Sequence, residues 1–289
     1  MSLSTATGSG FRTLSRLAMN KIKHIVAVAS GKGGVGKSTS AVNLALALKA
    51  LGNTVGLLDA DIYGPSQQKM LGVADGVKPE QQGGQFLLPI EAHGLRTMSM
   101  GYLTNDRTPM VWRGPMAGGA LIQMLEQTLW GEIDYLIIDM PPGTGDIQLT
   151  LTQKATVSGA VIVTTPQDIA LLDAQKGIEM FRKVDVPILG VLENMAVHTC
   201  SQCGHQEHIF GSLGGERIAA DYGVPLLASL PLALSIREQT DSGNPTVVAA
   251  PDSPETALYL QAAERIQAAL SDNAGEQVQP FPEITISDD

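Results

Sequence analysis

A short apolar run ending at Ser30 leads directly into Gly31-Lys32-Gly33-Gly34-Val35-Gly36-Lys37-Ser38-Thr39, and a helical stretch follows from Lys37 to Leu51. No other feature limits the fold as strongly. A strand, a glycine loop with G-x-x-x-x-G-K-[ST] spacing and a helix, in that order, open a parallel α/β sheet. The glycines let successive backbone N–H groups converge on anionic oxygens without interference from a Cβ, and the positive end of the helix adds to the same field. Lys37 is placed to set a point charge on the β- and γ-phosphates of ATP, and Ser38 to offer its hydroxyl to Mg²⁺. Gly31, Lys32, Gly33, Gly34, Val35, Gly36, Lys37, Ser38 and Thr39 together form the candidate nucleotide-binding segment.

The rest of the chain keeps the same alternation, which predicts an α/β fold: a mostly parallel, doubly wound sheet flanked by helices. Nearly continuous apolar runs predict strands at His24–Ser30, Thr54–Asp59, Tyr135–Asp139, Ala160–Thr164, Ile188–Glu193 and Leu226–Leu230. Helices are expected at Lys37–Leu51, Pro115–Trp130, Asp168–Lys183, Leu213–Tyr222 and Pro254–Leu270, with Gly52 closing the first. Gln85–Ile90 and Leu95–Met100 break the pattern and read as an antiparallel excursion. With 289 residues, 44% of them apolar, one core is expected, spanning 24–270. Residues 1–23 carry Arg12, Arg16, Lys21 and Lys23 but no acid, and read as a flexible basic tail. Residues 271–289 are acidic, aperiodic and expected to be disordered.

Carboxylates recur where α/β ligands bind, at the carboxyl edge of the sheet. Asp59 and Asp61 follow the second strand, and both can face the phosphate cradle. Two carboxylates at i and i+2 repel each other unless a cation or water network lies between them, although turn aspartates capping a helix would look the same. Asp134-Tyr135-Leu136-Ile137-Ile138-Asp139 is an apolar strand ending in a carboxylate, the Walker B pattern, which assigns Asp139 to Mg²⁺ directly or through water. The next residues, Met140-Pro141-Pro142-Gly143-Thr144-Gly145-Asp146, make a shaped loop suited to sensing a γ-phosphate through backbone N–H groups.

Cys200 and Cys203 are the two cysteines of the chain, too few for a disulfide framework and spaced as a metal or redox pair. A reducing, cytoplasmic location fits them. A thioredoxin-like pair would open a helix in an early βαβ unit, which this pair does not. A zinc site from Cys200, Cys203, His205 and His208 is arithmetically possible, with histidine spacing tighter than zinc fingers use. An iron–sulfur cluster of the common kind takes four thiolates, so one chain supplies half, and two chains about a two-fold axis complete the set. A net charge of −10 disfavours nucleic acid as a partner, and no apolar run is long enough to span a membrane.

The loop G-K-G-G-V-G-K-S-T resembles the deviant Walker A motif of SIMIBI-class ATPases. Together with D-A-D-I-Y-G-P-S, D-M-P-P-G-T-G-D, V-T-T-P-Q and a late C-x-x-C, it makes residues 22–270 similar to the Mrp/Nbp35/ApbC family of iron–sulfur carriers. That resemblance implies slow, dimer-dependent ATP hydrolysis. It implies that Lys32 reaches the partner's nucleotide, that Lys37 and Asp61 join it in catalysis, with Asp61 orienting the attacking water, and that Asp59 lies nearer Mg²⁺. It also implies that Asn194 reads the adenine edge. The cofactor set becomes ATP, Mg²⁺ and a [4Fe–4S] cluster bound by Cys200 and Cys203 of two subunits, with scaffold proteins and apo iron–sulfur proteins as partners. The chain departs from many members in having a short basic tail where they carry a small extra domain. A positioning ATPase of the MinD/ParA kind and an ATP-driven reductase are the alternatives.

Overall fold

The computed structural model describes residues 22–103, 114–200 and 202–276. Its strands are β1 (Ile22–Ala29), β2 (Val55–Asp59), β3 (Gln81–Gln82), β4 (Phe86–Leu87), β5 (Ile90–Ala92), β6 (Leu95–Ser99), β7 (Ile133–Asp139), β8 (Gly159–Thr164), β9 (Ile188–Glu193), β10 (His198–Thr199), β11 (Gln206–Glu207) and β12 (Leu226–Ser229). Eight of them form one sheet in the order β12-β9-β8-β1-β7-β2-β6-β5, parallel except for the β5–β6 pair. The mostly parallel, doubly wound sheet expected from the sequence is thus present. Successive side chains of β1 alternate between two cores, as the period of a strand requires. Ile25, Ala27 and Ala29 pack on one face, and Val26 and Val28 on the other.

Helix Lys37–Ala50 crosses the second face beneath helix Pro254–Glu276 and is buried at every position from Ser40 to Leu48. It ends as its glycine predicts. Gly52 takes φ +92°, its N–H bonds the Lys49 carbonyl at 2.9 Å, and the Asn53 N–H bonds the Leu48 carbonyl at 3.3 Å, so two otherwise orphaned carbonyls are satisfied.

The structure corrects several expectations. The antiparallel excursion is present in the β3–β4 and β5–β6 pairs, but Leu95–Ser99 also pairs in parallel with β2 (Asp59 beside Ser99) and so extends the main sheet; Met100 begins a helix. The other half of that region divides into the β3–β4 pair and β5. β1 starts at Ile22, inside the stretch assigned to the basic tail, and helix Pro254–Glu276 runs six residues past the expected boundary at 270. Helices Asp146–Ala155, Leu234–Asp241 and Thr246–Ala249 carry apolar patterns too short or too polar to stand out in sequence. The remaining positions of the two tail assignments lie outside the described residues. No described helix is long and apolar enough to cross a membrane.

Candidate functional site

The glycine loop leaves β1 at the carboxyl edge of the sheet, between β7 and β8. Gly34 and Gly36 adopt φ +81° and +82°, a left-handed backbone that residues with a Cβ resist. Gly36 is also the N-cap of helix Lys37–Ala50, whose first turn receives no side-chain cap. Its free N–H groups point where an anion would sit. Close packing fixes the loop from behind: a Cβ on Gly31 would lie 2.1 Å from the Asp173 carbonyl oxygen, and one on Gly36 2.1 Å from Asn194 Nδ2.

Lys37 and Asp139 are both buried and form an ion pair, with the lysine Nζ also 3.2 Å from Ser38 Oγ. Asp59 stands beside Asp139 in the β2–β7 register. Of the two aspartates that the sequence allows to face the cradle, Asp61 lines the cleft, whereas Asp59 is fully buried and its oxygens accept from protein donors. These are the N–H groups of Asp61 (3.1 Å), Ser66 and Gln67 (3.0 Å each) and the hydroxyl of Ser99 (3.0 Å). The repulsion expected within the i, i+2 pair is therefore relieved by backbone amides. Burial, and then the charge of Asp139, push the Asp59 pKa up to about 7. Asp61 accepts a hydrogen bond from the Gly64 N–H at 3.2 Å, and partial burial raises its pKa while Lys37 pulls it back.

A cleft of about 220 Å³ is bounded by Lys32, Lys37, Ser38, Thr39, Asp61 and Pro142. Among the described residues the Lys32 side chain has no ion-pair or hydrogen-bond partner. The oxygen donors at its floor suit a hard cation such as Mg²⁺, and two further buried oxygens, Ser66 Oγ and Gln67 Oε1, have no hydrogen-bond partner there.

The Pro-Pro loop after β7 is held by a residue that the sequence reading missed. Gln148 donates Nε2 to the carbonyls of Pro141 (2.8 Å) and Gly143 (2.5 Å) and accepts from the Gly145 N–H. Its sequence marker is incomplete, since the N-cap three residues before Gln148 is Gly145 and not Ser or Thr. Gln67, described below, had no such marker. Asn194 reaches the loop as well, but its Nδ2 donates to the Val35 carbonyl at 2.9 Å, so the amide nitrogen braces the cradle.

Cys200, six residues after Asn194, and Cys203 lie at the turn of the β10–β11 hairpin, with Cys203 exposed and Cys200 partly so. The Cys200 carbonyl accepts from the Gly204 N–H and its own N–H donates to the His205 carbonyl, both at 2.9 Å. Backbone N–H groups of Cys203 and Gln202 lower the Cys200 pKa, favouring the thiolate that binds metals. His198 Nδ1 and His208 Nδ1 are each bonded to a backbone carbonyl, of Leu232 and Ala196. Among the described residues no three His, Cys, Asp or Glu side chains gather closely enough to hold a metal, so the single-chain zinc site considered from the sequence is not assembled.

A Walker A loop, a Walker B aspartate and a switch segment, residues 59–67 following β2, at the carboxyl edge of a parallel sheet define a P-loop NTPase. A family model described as NUBPL iron-transfer P-loop NTPase matches residues 21–267, and the chain belongs to that family. It is 65% identical over 242 residues to the iron-sulfur cluster carrier protein of Pseudomonas fragi, covering 84% of each chain. It is 59% identical over 259 residues to the iron-sulfur cluster carrier protein of Escherichia coli K12, covering 90% of this chain and 70% of that one. Among solved structures, a nucleotide-binding protein of Archaeoglobus fulgidus in complex with ADP superposes with a TM-score of 0.73 at 34% identity, over 85% of this chain and 95% of that one.

Proposed function

We propose that this protein binds and slowly hydrolyses ATP and carries a [4Fe–4S] cluster between two copies of itself for delivery to apo iron–sulfur proteins. The observation that carries the reading is the hairpin tip: two thiols, one exposed and one partly so, with no third metal-ligating side chain gathered beside them among the described residues, on the chain that leaves Asn194, which is bonded to the phosphate loop. Half a coordination shell on a surface projection is what a shared, transferable cargo requires. The relatives named as iron-sulfur cluster carriers support it.

Each side chain has a role in this reading. The backbone N–H groups of Gly31–Thr39 and the ammonium of Lys37 hold the phosphates, Lys32 crosses to the partner's nucleotide, and Asp61 orients the attacking water. Ser38 and Asp139 hold Mg²⁺ with Asp59 behind them. When bound, the ion neutralises charge on the β- and γ-phosphates. Asn194 keeps its carboxamide oxygen for the adenine amino group. A MinD/ParA-like positioning ATPase shares the nucleotide site but gives the cysteine hairpin no task.

Anaerobic reconstitution with iron and sulfide, read by visible absorbance and mass together, tests the proposal. The expected product is a dimer with one cluster, lost in Cys200→Ser. A Cys200→Ser monomer that retains a full cluster would sink it.

A further inference from the structure

Gln67 belongs to no motif, yet it contacts each residue assigned above to Mg²⁺. Its backbone N–H donates to Asp59 Oδ2 at 3.0 Å, and its side-chain Nε2 donates both to the Ser38 carbonyl at 3.0 Å and to Asp139 Oδ2 at 2.9 Å. The side chain is 1% exposed. Because two acceptors bracket Nε2, the amide orientation is fixed, and Oε1 is left without a donor. Ser66 Oγ, one residue earlier and on the wall of the nucleotide cleft, is also buried without a partner. Buried polar atoms lacking partners are uncommon and costly. Two such atoms, Gln67 Oε1 and Ser66 Oγ, lie among the oxygens of Ser38, Asp59 and Asp139 without a donor of their own.

We propose that Gln67 is a positioning residue for the cation of the nucleotide site. Its amide nitrogen fixes the Asp139 carboxylate and the Ser38 end of the phosphate loop against the switch segment. Its Oε1, together with Ser66 Oγ, accepts hydrogen bonds from water bound to Mg²⁺. The amide suits this place because it is neutral: Asp59 and Asp139 already set two carboxylates in a buried space beside Lys37, and a third would add repulsion. Outer contacts of this kind typically change metal affinity about 10- to 100-fold.

This inference rests on the nucleotide-site reading, and the test separates the two. A fluorescent ADP analogue is titrated into the full-length protein with excess Mg²⁺ and again with EDTA, and the ratio of the two Kd values gives the Mg²⁺ enhancement. Gln67→Leu is expected to reduce that enhancement about tenfold, a larger loss with Mg²⁺ than any it causes in EDTA by freeing the Ser38 carbonyl, and Ser66→Ala to reduce it by a smaller factor. Should Gln67→Leu fail to fold, Gln67→Asn, which withdraws the amide by one methylene, takes its place. An unchanged enhancement in the folded variant, or an equal loss with and without Mg²⁺, overturns the positioning role. A wild-type protein with no Mg²⁺ enhancement overturns the site reading and this inference with it.

Discussion

Asn194, at the end of β9, donates its side-chain amide to the carbonyl of Val35, 159 residues earlier, and so ties the strand leading to the cysteine hairpin to the middle of the phosphate loop. Among the described residues no donor meets its Oδ1. On the proposed reading, Asn194→Ala removes a brace and a base contact at once. ATP affinity is expected to fall about tenfold, and GTP affinity by less, because the guanine edge presents no amino group at the corresponding position. Equal losses for the two nucleotides, measured by competition binding, would leave Asn194 a brace alone.

Gly34 and Gly36 share a left-handed backbone but differ in surroundings. A Cβ on Gly34 meets nothing within 4 Å, whereas one on Gly36 strikes Asn194 Nδ2. Gly34→Ala is expected to cost about 1 kcal/mol, the conformational penalty alone. Gly36→Ala adds a steric clash and should both destabilise the fold further and abolish nucleotide binding. Denaturant unfolding of the two variants side by side decides this.

Lys37→Ala leaves the Asp139 carboxylate buried without its cation and next to Asp59. Breaking a buried pair in this way typically costs about 3–5 kcal/mol. Adding Asp139→Asn removes the stranded charge, so the double variant is expected to be more stable than the sum of the single losses. A double-mutant cycle on thermal unfolding reads the coupling, and strict additivity would show that the two charges do not sense each other.

Two histidines around the cysteine hairpin, His198 and His208, are already bonded to the carbonyls of Leu232 and Ala196. His205→Ala combined with His208→Ala is expected to leave iron and sulfide content unchanged after reconstitution. Loss of metal by these variants would return the zinc-type ligand set to consideration.

Asp134 accepts hydrogen bonds from the Thr54 hydroxyl (2.7 Å) and N–H (2.9 Å), and these lower its pKa below the ordinary 3.8. A depressed carboxylate contributes stability above its unfolded pKa and loses it as pH falls through the folded value. Asp134→Asn should therefore leave stability less sensitive to pH below about 4. Asp134 is only partly buried, so the effect is small, and unfolding curves at pH 7 and pH 3 measure it.

Much of the nucleotide site was legible in the chain because it rests on local chemistry. Glycine freedom, a lysine and hydroxyl at fixed offsets, and an apolar strand ending in Asp139 are properties of consecutive residues. The strands and the closure of helix Lys37–Ala50 at Gly52 follow from the same local rules.

Sequence alone thus determined which backbone segments form the glycine loop and how many thiols one chain carries. Tertiary structure decided the rest. Leu95–Ser99 became a strand of the main sheet because its partner β2 lies some forty residues away. Asp59 turned from the cradle to bind the backbone of the switch segment, and Gln67 and Asn194 acquired roles through partners on other strands and loops. A buried amide finds its acceptors across the folded chain, and no periodicity along the sequence records which ones they are.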